Sequence, residues 1–125
     1  MSAKQKNETG KKGEEIAATF LKKNGYRIVE INFRCPAGEI DIIARDKAGL
    51  AFIEVKTRRS KELGYPEQAV GPKKQKKMSE LALWYLQKKK ISDTDARFDV
   101  VAITMLPERE EEIRLIKNAF DFVAG

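Results

Sequence analysis

The chain has 125 residues, 42% hydrophobic and 35% charged, a balance that fits one folded soluble unit and excludes a disordered polyelectrolyte. It holds no histidine and one cysteine, Cys35, which removes Ser-His-Asp and Cys-His nucleophiles, ordinary zinc sites and any internal disulfide. The net charge of +6 favours a polyanionic partner, and no apolar run approaches a membrane span.

Residues 1–8 read as a flexible polar tail, and residues 9–125 as one domain. The opening MSAKQKNETGKKGEE has no apolar stretch of the secretory kind, and with the lone cysteine this points to the cytoplasm. A helix is predicted over 9–24, with Thr9 as N-cap and Gly25 just past its end. Its apolar stripe is Ile16, Ala17, Phe20 and Leu21. Glu14 falls beside Leu21 at the stripe's edge, whereas Glu15 points to solvent.

Three strands follow, RIVEINF (27–33), EIDIIAR (39–45) and LAFIEVKT (50–57), the last two joined by the short loop Asp46-Lys47-Ala48-Gly49. Glu67 to Lys90 reads as helical with a break at Gly71-Pro72, and its inward stripe is Met78, Leu81, Ala82 and Tyr85. RFDVVAIT (97–104) is a fourth strand, placed parallel to the third by the helical crossover, and EIRLIK (112–117) a fifth. The order αβββαβ with a further strand predicts an α/β sandwich built on a mixed central sheet flanked by helices.

The stretch GEIDIIARDKAGLAFIEVKTRR sets Glu39, Asp41, Glu54 and Lys56 among the most apolar residues of the chain. Alternation along a strand puts Glu39 with Asp41 on one face, and Glu54 with Lys56 on one face. Ile40, Ile42, Ile53 and Val55 take the opposite face. Ile43 and Phe52 lie on the charged face, so both faces are expected to be covered. Buried charges there must be paired or bound to metal. Two carboxylates and an ammonium converging on one point suit Mg²⁺, which polarises a phosphoryl oxygen and supplies a hydroxide-like nucleophile in phosphodiester hydrolysis. A nearby lysine can orient the water and offset charge on the phosphate. The spacing alone also fits an ordinary hairpin with a Glu–Lys pair on its wetter side.

Asp41…Glu54-Val55-Lys56 resembles the D…(D/E)xK signature of the PD-(D/E)xK nuclease superfamily, which includes restriction endonucleases and archaeal Holliday-junction resolvases. The whole chain is similar to the YraN family of small bacterial proteins. The segments that carry this are GEEIAATFL, GEIDIIARD, FIEVKTRR, GYPEQAV…K, RFDVVAI and IKNAF, between Gly10 and about Phe120. The resemblance implies a restriction-endonuclease-like fold, Mg²⁺ or Mn²⁺ as cofactor, and nucleic acid, DNA for preference, as partner. It assigns Asp41 and Glu54 to the metal, with Glu14 from the first helix as a further ligand, and Lys56 as the catalytic lysine. Glu39 is implied as a supporting residue, by ion pairing or substrate contact as readily as by metal ligation.

Arg58 and Lys74 match basic positions that could hold phosphates, although a solvated surface charge is the simpler reading of Lys74, and Arg59, following directly from the third strand, would position a backbone phosphate beside them. The proline of the PD dipeptide is replaced here by Ile40. Related resolvases act in pairs, so the resemblance also allows a homodimer. The expected function is metal-dependent endonuclease action on phosphodiester bonds, with structure-specific DNA as a candidate substrate; the alternative is a catalytically silent nucleic-acid-binding module or a subunit that needs a partner.

Overall fold

The computed structural model describes residues 8–59 and 70–124, with the backbone alone at residues 8 and 9. Its elements are α1 (Glu8–Lys23), β1 (Arg27–Cys35), β2 (Gly38–Asp46), β3 (Gly49–Arg58), α2 (Pro72–Lys88), β4 (Ala96–Thr104) and β5 (Glu112–Phe120). The strands form one sheet in the order β1-β2-β3-β4-β5, with β3 and β4 parallel and the other neighbours antiparallel. This is the expected restriction-endonuclease-like α/β sandwich on a mixed sheet. No helix among the described residues is long and apolar enough to cross a membrane.

Each helix covers one face of the sheet. Ala17, Ala18 and Leu21 of α1 pack on Ile42, Ala44, Ala51, Ile53, Val101 and Ile103. Met78, Leu81, Ala82 and Tyr85 of α2 pack on Phe33, Ile40, Ile43, Leu50, Phe52 and Phe98. Each fully buried Leu, Ile or Phe contributes about 1.5–3 kcal/mol of transfer free energy, so these two layers carry most of the stability. Contact between α1 and β3 is close enough that a Cβ on Gly13 would overlap the Thr57 side chain. Gly13→Ala is therefore expected to lower stability by about 1–3 kcal/mol, read as a lower urea midpoint at unchanged slope.

Several boundaries differ from the sequence reading. Helix α1 begins at Glu8, one residue before the expected cap at Thr9, within the fraying range of helix ends. Residues 1–7 of the expected tail, most of the GYPEQAV segment and the expected helical residues 67–69 lie outside the described residues. Helix α2 starts at Pro72, with Gly71 extended before it, because proline is tolerated at a helix's first position. Strand β5 runs on to Phe120, whose ring stacks on Phe98 at 4.6 Å between centroids.

The expected face of Ile40 is also corrected. Ile40 packs on the α2 side, while Ile42 packs on the α1 side. The alternation breaks at Asp41. Opposite it on β1, between the pairs Ile31–Ile42 and Phe33–Ile40, sits Asn32 with φ 57°. Asparagine is among the few residues that accept this left-handed conformation, so both strands change face at the same level. The kink lets Ile40 and Phe33 reach the α2 core, and it turns Asp41 towards β3.

A buried polar network ties the other end of the sheet together. Asp99 is 0% exposed and accepts from Tyr26 Oη (2.8 Å), Arg97 Nε (3.0 Å) and the Asn118 backbone N–H (2.9 Å). The Arg97 guanidinium also donates two bonds to Asp46, at 3.1 and 2.7 Å, and Lys117 donates a third at 3.2 Å. Asn118, at φ 52°, lies in a β-bulge of β5 that aims its N–H at Asp99.

Candidate active site

The β2–β3 hairpin pairs regularly from Asp46–Gly49 to Ile42–Ile53. At the next position, the kink at Asp41, a side chain takes over from the backbone. Asp41 Oδ2 accepts the Val55 backbone N–H at 2.8 Å, a donor that would otherwise be left over where the strands part. Asp41 is thereby fixed to β3 immediately beside Glu54.

Glu54 is 6% exposed, on the α2-facing side of β3, one alternation step beyond the buried Phe52. Burial foremost, and then the Asp41 carboxylate beside it, push its carboxyl above the ordinary 4.5; Lys74 and Lys56 pull it down without cancelling this. Lys56 Nζ and Lys74 Nζ each lie 3.5 Å from the same oxygen, Glu54 Oε2. The structure thus brings Asp41, Glu54 and Lys56 together. It adds Lys74, which reaches over from α2 and is not the freely solvated charge that the helix pattern suggested.

Other expected residues take different positions. Glu39 is engaged across β1–β2 by Arg34, with Nε 3.4 Å from Oε2. Glu14 is buried in α1, on the opposite layer from α2, next to the Gly13–Thr57 contact. Among the described residues no three acidic or cysteine side chains cluster at metal-binding spacing. Arg58 shares the Glu54 face by alternation and directs Nε to Thr104 Oγ1 at 3.4 Å. Its Nη1 atom is buried and has no hydrogen-bond partner among the described residues. Arg59 is exposed at the end of β3.

A hard divalent cation fits this donor set. Mg²⁺ needs only one or two carboxylates from a protein, and a buried glutamate whose charge is poorly tolerated gains from a cation nearby. Sequence reasoning missed the Lys74–Glu54 pair, since the helix that carries Lys74 lies outside the hairpin motif. It also passed over Asp99, although an acid inside the apolar RFDVVAI is the same signal that marked Asp41 and Glu54.

The profile of the uncharacterised protein family UPF0102 matches residues 13–103. The chain belongs to this family. UPF0102 relatives are similar along nearly the whole length. A protein of Syntrophus aciditrophicus is 53% identical over 117 residues, covering 94% of this chain and 91% of the relative. A Geotalea daltonii protein is 52% identical over 119 residues, covering 94% of each, and one from Geobacter sulfurreducens is 49% identical over 112, covering 90% and 88%. Membership of UPF0102 agrees with the resemblance carried by the motif segments. The matched span holds every site residue named above, from Glu14 to Lys74.

Proposed function

We propose that this chain is a nuclease of the PD-(D/E)xK superfamily, hydrolysing phosphodiester bonds of nucleic acid, DNA for preference, with Mg²⁺ or Mn²⁺ in the cytoplasm. One observation carries the reading. A buried glutamate, Glu54, faces a second carboxylate fixed by the strand break at Asp41 and is contacted by lysines from two elements. An ordinary solvated hairpin has no need of that arrangement.

Asp41 and Glu54 would hold the ion. When bound, it supplies polarisation of a phosphoryl oxygen and an activated water. Lys56, on the face of Glu54, orients that water and offsets charge developing on the phosphate. Arg58, whose buried Nη1 has no hydrogen-bond partner among the described residues, ends the same strand and the exposed Arg59 follows it, where backbone phosphates would be positioned without reading sequence.

The test is cleavage of labelled single-stranded, duplex, flapped and four-way DNA with matched RNA, in Mg²⁺ or Mn²⁺ and in EDTA. Asp41→Ala and Lys56→Ala should each lose metal-dependent cutting by about 100- to 10,000-fold. Equal cutting by wild type and both variants would assign the activity to a contaminant. Tight binding without any cutting would replace the nuclease with a silent binding module.

A further inference from the structure

Glu54 carries two ammonium groups on one oxygen, and they are held differently. Lys56 leaves β3 two residues beyond Glu54 on the same face, so its ammonium is tethered beside the carboxylate. Lys74 stands near the start of α2 with a side chain 42% exposed. Beside it opens a hollow of about 490 Å³ lined by Gly71, Pro72, Lys73 and Lys77. Lys74 has the hollow to swing into; Lys56, 33% exposed, does not line it.

The helix itself gives no reason for a lysine there. The first turn of α2 contains no acid, Gly71 supplies no side-chain cap, and Lys73 and Lys74 stand where the helix dipole favours anions. What Lys74 gains in that position is the carboxylate of Glu54. In return it offsets the negative charge that burial and Asp41 make unfavourable.

Resting on the assignment of Asp41 and Glu54 as metal ligands, we propose that Lys74 is a removable counter-ion, which stands at Glu54 in place of a divalent cation and must leave when the cation binds. A cation held by Asp41 and Glu54 would stand beside the carboxylate that both lysines contact. Glu54 is buried while both ammoniums are partly exposed, so a double positive charge beside them is repelled, in part screened by water. The tethered lysine stays, and the one on the helix moves out into the hollow. Lys74 therefore competes with the cation. It keeps the metal-free carboxylates neutralised and raises the cation concentration that the site requires. By linkage, an anion that draws Lys74 outward, such as a nucleic-acid phosphate, strengthens cation binding by the same factor by which the cation strengthens its own.

The test is Mn²⁺ affinity, measured from the electron paramagnetic resonance signal of the free ion, for wild type, Lys74→Gln, Lys74→Arg and Asp41→Asn. Lys74→Gln should bind Mn²⁺ about three- to tenfold more tightly than wild type, Lys74→Arg about equally, and Asp41→Asn much more weakly. If Lys74→Gln binds no more tightly while Asp41→Asn still loses the ion, the counter-ion role is overturned and the metal assignment stands. If wild type binds no Mn²⁺, or binds it regardless of Asp41, the metal assignment itself falls.

Discussion

Glu54→Gln is expected to make the metal-free protein more heat-stable while removing its metal-dependent cleavage. The substitution keeps the shape of the side chain and deletes a charge that burial and the adjacent Asp41 disfavour. It also gives up the two lysine contacts at 3.5 Å, each from a partly exposed ammonium and so of small value. The balance should favour glutamine by about 1 kcal/mol, or about 4 °C in Tm, measured in EDTA at pH 7–8.

The sign with pH follows from the direction of the shift. A carboxyl whose folded value is raised weakens the fold above that value, and the penalty disappears as pH falls to the ordinary 4.5. The stability gap between Glu54→Gln and wild type should therefore be widest at neutral pH and close on acidification. Cleavage by the variant should drop by about a thousandfold, and added Mn²⁺ should no longer raise its Tm. A variant less stable than wild type at neutral pH would show that the lysine pairs outweigh burial. Such opposed effects are usual where a functional group sits in a place that folding alone would fill otherwise.

The second large effect lies at the far end of the sheet. Asp99→Ala should destabilise the protein by about 3–5 kcal/mol, because it removes a fully buried carboxylate and takes the acceptor away from Arg97 Nε, the buried Tyr26 hydroxyl and the Asn118 N–H, leaving Arg97 only its bonds to Asp46 and Tyr26. Asp99→Asn keeps an acceptor and should lose less; denaturant unfolding of the two variants measures the difference. The same network gives an acid limit. The Arg97 hydrogen bonds hold the Asp46 carboxyl well below the usual carboxylate range, with Lys117 and the Ala48 N–H helping and burial opposing. A depressed carboxyl stabilises above its ordinary 3.8 and loses that contribution as pH falls below it. Asp46→Asn should accordingly be weaker than wild type at pH 7, and the two should converge below about pH 4.

Most of the architecture was legible because its signals are local. The stripe around Ala17 and Leu21, the run from Met78 to Tyr85 and the loop from Asp46 to Gly49 each fixed an element through periodicity or turn chemistry. The crossover through α2 then set β4 parallel to β3. The site was partly legible for the same reason. Acids set among isoleucines and valines stand out in any strand, and the two-residue spacing of Glu54 and Lys56 places them on one face.

What failed was the assumption of unbroken alternation through Ile40. A left-handed residue on the neighbouring strand, Asn32, reset the faces, and nothing within EIDIIAR announces that. By itself, then, the sequence determined the order of elements, the mixed sheet and the acid–acid–lysine set, since each depends on residues near one another in the chain. Only the tertiary structure decided that Asp41 caps the Val55 N–H, that Lys74 meets Glu54 and that Asp99 anchors a network. Those contacts join residues from separate elements, and their existence depends on how layers pack and strands bend, which no local pattern encodes.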